Sequence, residues 1–276
     1  MRDVGPILLT GCSSGIGAAT ARRLAERGYT VYATARRPDT LTDLASAGCK
    51  TLALDVTDEV SMAAAVDTVL AEHGRVGALV NNAGYGEYGA VEEVSIDRVR
   101  KQFETNVFGL ARMCQLVLPS MRAAGTGRIV NIGSMGGRLT FPYGGYYHAT
   151  KHAVEALSDA LRYEVRPYGI KVVLFEPGLI ATEFGNTVSG TMHDTTAGDS
   201  PYAARATRMD GMINRMYANR LLRIGPDRVA KVIEKALTKR SPHTRYVVPM
   251  STRTLIGVRQ VLPGRGWDGM LRTIVR

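Results

Sequence analysis

The sequence predicts an α/β protein: a doubly wound parallel sheet with helices on both faces, three layers in a single domain. Three observations predict it. Short apolar runs alternate with longer stretches of helical periodicity through the first 180 residues, the pattern of repeated strand–helix–strand units. The first apolar run ends in a glycine-rich turn that opens directly into a helix. The chain has 276 residues, 45% hydrophobic and 22% charged, the size and composition of one large domain with its own core.

The elements follow in order. Pro6 to Thr10 reads as the first strand, and Ile16 to Arg27 as a helix that Gly28 ends. Thr30 to Ala35 and Thr51 to Leu54 are the second and third strands. Thr57 to His73 is a helix with Thr57 as its expected N-cap. Val76 to Val80 is the fourth strand, leading into Asn81-Asn82, and Ser95 to about Ala124 is one long helical stretch. Gly127 to Ile132 is the fifth strand, Tyr147 to Tyr168 a helix, and Ile170 to Phe175 the sixth strand, leading into Pro177-Gly178. Residues 179–220 break the pattern: rich in Gly, Thr, Met, Asn and Arg, they read as an irregular insert placed to cover a ligand. Pro226 to Lys239 is a helix and Tyr246 to Val248 a short last strand. Residues 1–250 are thus expected to form the domain, with 251–276 as a basic tail.

Cys12, Cys49 and Cys114 are odd in number and widely spaced, so neither a disulfide framework nor a zinc site is expected. No signal peptide and no apolar stretch of membrane-spanning length is read, which gives a cytoplasmic expectation. The net charge of +10 is unevenly placed: residues 201–276 carry 16 Lys/Arg against four Asp/Glu, and the first 200 residues balance to −2. Nucleic-acid binding is not expected. Pro263 and two nearby glycines interrupt any long amphipathic helix, so the first reading of the tail is a docking segment with solvated arginines. Contact with an anionic membrane surface is the second.

The chemistry-bearing segment is Thr10-Gly11-Cys12-Ser13-Ser14-Gly15-Ile16-Gly17. Gly11 permits the tight turn, Gly15 lets the backbone approach a pyrophosphate, and Gly17 lets the helix pack closely on the sheet. The helix N-terminus offers free N–H groups to the phosphates. Further along stand Asn81-Asn82-Ala83-Gly84, Ser134, Tyr147 with Lys151 four residues on, and Pro177-Gly178. In this order and spacing, over residues 6 to about 182, the chain closely resembles the classical short-chain dehydrogenases/reductases. The resemblance implies a Rossmann-type fold and an NAD(P)-dependent alcohol or carbonyl oxidoreductase. It also implies a homodimer or homotetramer built through the helices at 95–124 and 147–168.

Tyr147 and Lys151 share one helix face. A free tyrosine has a pKa near 10, and a nearby ammonium with the oxidised cofactor's positive ring would favour its phenolate. Ser134 would orient the substrate oxygen. The resemblance further implies that Lys151 bonds the nicotinamide ribose and that Asn106 holds a water of the proton relay. It implies that Asp55, beside Val56, bonds the adenine amino group and that Thr182 bonds the carboxamide. It places Ile180 on the cofactor through its backbone, together with Ser13, Ser14, Asn82, Ala83, Gly84, Pro177 and Gly178. Cofactor choice is read at Ala35-Arg36-Arg37, where an acid would bond the ribose 2′-hydroxyl. Two arginines there favour NADP(H) over NAD(H), with a solvated pair as the competing reading, stronger for Arg37. No metal is expected. Tyr146 and Tyr143 are decoys with the wrong lysine spacing, and pocket lining is their only open role; His148 and His152 read as surface or packing residues. Similarity around residues 31–37 to members that handle retinoids and steroids makes the expected substrate a small, apolar alcohol or ketone. The competing class, a catalytically silent NADP(H)-binding regulator, is disfavoured because Asn106, Ser134, Tyr147 and Lys151 are all present.

Overall fold

A computed structural model describes residues 4–196, 199–219 and 222–275. The strands are β1 (Ile7–Leu9), β2 (Val31–Ala35), β3 (Lys50–Ala53), β4 (Ala78–Asn81), β5 (Gly127–Ile132), β6 (Ile170–Pro177) and β7 (Arg245–Val248). They form one sheet in the order β3-β2-β1-β4-β5-β6-β7, with every pairing parallel. The expected doubly wound sheet is therefore present. β1 explains why: Ile7, Leu8 and Leu9 are fully buried, and alternate side chains serve opposite faces. Ile7 and Leu9 join a core with Leu24 of α1 (Gly15–Glu26) and Ile233 of α9 (Pro226–Thr238). Leu8 joins the other core, with Val66 of α3 (Glu59–His73), Met113 of α5 (Leu110–Ala123) and Val154 of α6 (Gly145–Val165).

The order of strands places the site. The chain moves outward from β1 to β2 and β3, then returns to the other side of β1 with β4. The loops after β1 and β4 diverge, leaving a crevice at the carboxyl ends of the strands.

Several elements differ from the expectation. A turn at Pro38–Leu41 and a short α2 (Thr42–Ser46) fill the link between β2 and β3. The N-cap of α3 is Asp58, whose carboxylate accepts from the N–H groups of Val60 and Ser61. Thr57 instead donates through both N–H and hydroxyl to Asp55. The long stretch after Ser95 divides into α4 (Ile96–Phe103), a π-helical turn (Glu104–Gly109) and α5. The extra residue of that turn sits where Gly109 packs on Val56: a Cβ there would lie 2.3 Å from the Val56 carbonyl oxygen.

Most of residues 179–220 proves helical rather than irregular: α7 (Phe184–Thr195) and α8 (Ala203–Ala218) pack against each other through Val188, Met192, Ala206 and Met209. Their Gly, Thr and Asn content hides the periodicity, and tertiary packing supplies what propensity does not.

The basic C-terminal segment also folds. α10 (Met250–Val261) and α11 (Gly264–Val275) are separated at Leu262, whose extended backbone precedes Pro263. Trp267, 4% exposed, packs with Leu139 and Ile256, and the Arg259 guanidinium lies 5.6 Å from its ring centroid. Thr252 presses on the end of β6, where a Cβ at Gly178 would stand 1.9 Å from its hydroxyl oxygen. Among the described residues no helix is long and apolar enough to cross a membrane.

Trp267→Ala should lower the unfolding free energy by about 3 kcal/mol. Urea denaturation checks this, and an unchanged midpoint would show that α11 contributes no packing.

Candidate active site

The turn after β1 is fixed against the loop after β4. Thr10 accepts through its hydroxyl from the N–H groups of Asn82 and Ala83, both at 3.0 Å. The Asn82 amide donates back to the carbonyls of Thr10 at 3.1 Å and Gly11 at 2.8 Å. Gly11 has φ +70°, and a Cβ on it would meet the Ala83 Cα at 2.8 Å, so both its conformation and its neighbour demand glycine. Gly17 stands behind the cavity wall, where a Cβ would come within 2.3 Å of the Gly11 carbonyl oxygen; its place is in packing, as its spacing implied. Ser14 caps α1 with extended backbone and no side-chain hydrogen bond, and the first turn carries no acid. That end of α1 is a cluster of outward N–H groups with a favourable dipole, suited to a phosphate anion.

A cavity of about 1020 Å³ opens above this turn. Gly11, Ser13, Ser14, Gly15 and Ile16 line its phosphate end. Arg36, Asp55 and Val56 line it at the ends of β2 and β3, and Asn82, Ala83 and Gly84 beyond β4. Pro177, Gly178, Ile180 and Thr182 line it after β6. The residues fit a dinucleotide: donors at the helix end, a cation beside Ala35 and an apolar slot between. Asp55 uses one carboxylate oxygen on Thr57. Arg37 is the exception. It is exposed, lies off the cavity and gives its carbonyl to Thr40, because the chain turns into the Pro38–Leu41 segment there. The arginine pair is thereby divided, with Arg36 alone on the wall.

Ser134, Tyr147 and Lys151 meet on the same cavity. The Ser134 oxygen accepts from the Gly136 N–H at 3.0 Å, which fixes its position at the end of β5. Lys151 donates to the Ile132 carbonyl at 2.9 Å, and its Nζ lies 5.9 Å from the Tyr147 ring centroid. Burial dominates both ionisable groups. It pushes the Tyr147 hydroxyl far above its usual value, with a hydrogen bond to Ser134 pulling the other way, and pushes the Lys151 ammonium down to about 8. Burial thus keeps the proton on Tyr147 at neutral pH.

Asn106 lies within the π-helical turn, fully enclosed and off the cavity surface. Its side chain accepts from the Tyr85 N–H at 3.0 Å and donates to the Tyr85 carbonyl at 2.8 Å and the Thr150 hydroxyl at 3.1 Å. It therefore braces the loop after β4 against the helix carrying Tyr147 and Lys151.

Much of the remaining wall comes from residues 179–220, the segment expected to cover a ligand, although its individual lining residues were not singled out in the sequence. Phe184 and Val188 of α7, Met209, Met212 and Ile213 of α8, and Tyr88 line it. The methionines lie at spacing three on one helix face, a signal obscured by the surrounding polar residues. Tyr146 faces away, donating its hydroxyl to the Val91 carbonyl at 3.0 Å, and Tyr143 is held off this cavity with φ +64°. His148 is buried and packs among Tyr147, Phe141 and Tyr88, in keeping with the expected packing role, and also borders the cavity; the exposed His152 stays off it.

Beneath the site, Arg245 on β7 bonds three carboxylates: Glu155 and Asp159 on α6, and Glu176 on β6. Burial, together with the charge of Glu176, pushes Glu155 up to about 7 despite its hydrogen bond to Arg245.

The chain belongs to the short-chain dehydrogenase family, whose model matches residues 6–192. It is an oxidoreductase of that family. It is 39% identical over 242 residues to a 3-ketodihydrosphingosine reductase of Bacteroides thetaiotaomicron, covering 88% of this chain and 87% of that protein. A short-chain dehydrogenase crystal structure from Streptomyces avermitilis matches with TM-score 0.79 and 34% identity over 99% of both chains. Serine dehydrogenase complexed with NADP+ matches with TM-score 0.76 and 27% identity, over 90% of this chain and 96% of that one. A Burkholderia phymatum family member in complex with NAD matches with TM-score 0.79 and 25% identity, over 94% of this chain and 95% of that one. The fold and its nucleotide site are thus shared with proteins that bind either nicotinamide cofactor.

The Glu155 carboxyl gives a pH signature. Its folded value, about 7, stands above the ordinary 4.5, so between the two the folded protein retains a proton that the unfolded chain has released. Its contribution to stability is present below pH 4.5 and is lost as pH rises through about 7. Glu155→Gln should flatten the pH dependence of stability in that window, measured by urea denaturation at several pH values. An unchanged slope would refute the assignment.

Proposed function

We propose that the protein is an NADP(H)-dependent oxidoreductase that interconverts an apolar ketone and its secondary alcohol, with Tyr147 as the proton-transfer group. The observation that carries the proposal is the convergence of Ser134, Tyr147 and Lys151 on a cavity whose other end is the phosphate-binding helix terminus. When bound, the cofactor supplies the hydride for the carbonyl carbon. Tyr147, kept protonated by burial, gives its proton to the carbonyl oxygen. Ser134, held by the Gly136 N–H, orients that oxygen. Lys151 holds the nicotinamide ribose and Thr182 the carboxamide, roles that their places on the cavity support. Asn106 acts from behind, bracing Tyr85 and Thr150 around the proton path.

Arg36 on the adenosine side of the cavity supports the NADP(H) reading, since a guanidinium suits a 2′-phosphate and no acid stands at Ala35 to repel one. The apolar wall from α7 and α8 supports a substrate with a hydrocarbon body. The relative from Bacteroides, named for reducing 3-ketodihydrosphingosine, agrees with that class. Residues 179–220 are read as the segment covering the substrate. A homo-oligomer through α4–α5 and α6 is supported by Phe108 and Leu157, large apolar side chains exposed on those helices.

Tyr147→Phe should lower kcat by about 10²–10⁴-fold and leave NADPH affinity nearly unchanged. Full turnover of a ketone, followed by NADPH absorbance, would remove Tyr147 from the mechanism. Arg36→Asp should weaken NADPH by about 10–100-fold more than NADH. Equal losses in fluorescence titration would overturn the cofactor preference.

A further inference from the structure

The two C-terminal helices rest on one base. Ile256 of α10 and Trp267 of α11 pack with Leu139, and Met135 and Phe141 adjoin the same cluster. Pro263, Gly264 and Gly266, which break any single long helix here, fall at the junction and let both helices lie on that base. Side chains opposite Ile256 and Trp267 therefore face outward. On α10 these are Met250, Thr254, Val258 and Val261, which share one helix face. Met250 is 70% exposed and Val261 82%, with Val258 exposed between them. Thr254 adds little polarity, since its hydroxyl donates to the Met250 carbonyl at 3.3 Å. An apolar ridge of this kind on the outside of a helix marks a contact.

Charge says what the contact is with. Residues 249–276 carry five arginines against one acid, Asp268. Arg253 flanks the α10 ridge, and Arg265 and Arg272 share the outward face of α11 with Asp268. All three arginines are exposed, and among the described residues none is ion-paired. Beside α11 a second cavity of about 600 Å³ opens, lined by Val91, Pro142 and Leu271 together with Arg205 and Arg272. Its one acid, Glu92, is bonded to the Tyr202 hydroxyl. Apolar surface bordered by free guanidinium groups matches an anionic bilayer, where phosphates lie just above hydrocarbon. A nucleic acid would engage the arginines and leave the ridge in water. A second copy of this chain would cover the ridge and set like charges against each other.

We propose that α10 and α11 dock the protein on an anionic phospholipid membrane surface, with the ridge from Met250 to Val261 entering the boundary between headgroups and acyl chains. The inference does not rest on the reductase reading above. It bears on access to the site, because Met135 and Phe141 line the large cavity and also adjoin the base of these two helices. Docking brings that side of the cavity toward the bilayer, so an apolar compound passes between the two with little exposure to water.

Co-sedimentation with vesicles tests this without turnover. The protein should pellet with phosphatidylcholine vesicles containing about 30 mol% phosphatidylglycerol and stay in solution with phosphatidylcholine alone. Raising the salt from about 0.1 M to about 0.5 M should weaken binding several-fold. Met250→Ser with Val261→Ser, and separately Arg265→Gln with Arg272→Gln, should each weaken it about tenfold. All four side chains are exposed, so both double variants should keep the fold and its Tm. No pelleting with the anionic vesicles, equal pelleting with the neutral ones, or full binding by either double variant would each overturn the proposal. Two other results would overturn it by reassigning the surface. A molar mass in light scattering that falls when Met250 and Val261 are replaced would make it an interface between copies of this chain. Duplex DNA bound where the vesicles are not would make it a nucleic-acid surface.

Discussion

The contact between the glycine turn and the loop after β4 holds everything else in place. Where the sheet's winding reverses, two loops must part to leave a crevice, yet they must not drift. Thr10, Gly11, Asn82 and Ala83 solve this with four hydrogen bonds and one backbone approach that excludes any side chain at Gly11. The phosphate end of the cavity is defined by that fixed turn. The opposite end is defined by Asn106, which ties the continuation of the same loop, at Tyr85, to the helix bearing Tyr147 and Lys151. One loop therefore carries the spacing between the two halves of the site.

Burial is the second constraint, and it sets protonation states more strongly than pairing does. Tyr147 keeps its proton, Lys151 loses much of its usual basicity and His148 stays neutral, each chiefly because water is excluded. Neutral groups are what an apolar cavity can hold at low cost, and neutral hydrogen-bond donors are what a carbonyl oxygen needs. The helix-end donors at the other extreme of the cavity serve a charged ligand, with backbone dipoles in place of side chains.

The sheet and the nucleotide end were legible in the sequence because local rules govern them. Continuous apolar runs mark buried parallel strands, and glycine at Gly11, Gly15 and Gly17 marks close approach. The residues singled out from motifs converge on one cavity, apart from Gly17 and Asn106 behind its wall and Arg37, which an unforeseen turn at Pro38 carries away. The segment covering the cavity was located at residues 179–220, but its helices and individual lining residues were opaque for the opposite reason. Met209, Met212 and Ile213 point into a cavity, so their periodicity is interrupted by residues serving other neighbours, and α7 and α8 have little helical signal of their own.

The Arg245 cluster also ties together parts of the chain that lie far apart in sequence. Its three carboxylates, Glu155, Asp159 and Glu176, precede the arginine by 90, 86 and 69 residues. Glu155 and Glu176 are buried, while Asp159 is partly exposed and also pairs with Arg162. One guanidinium on the edge strand β7 thus fastens the helix carrying Tyr147 and Lys151 to the far side of the sheet, so a change at β7 would be felt on that helix.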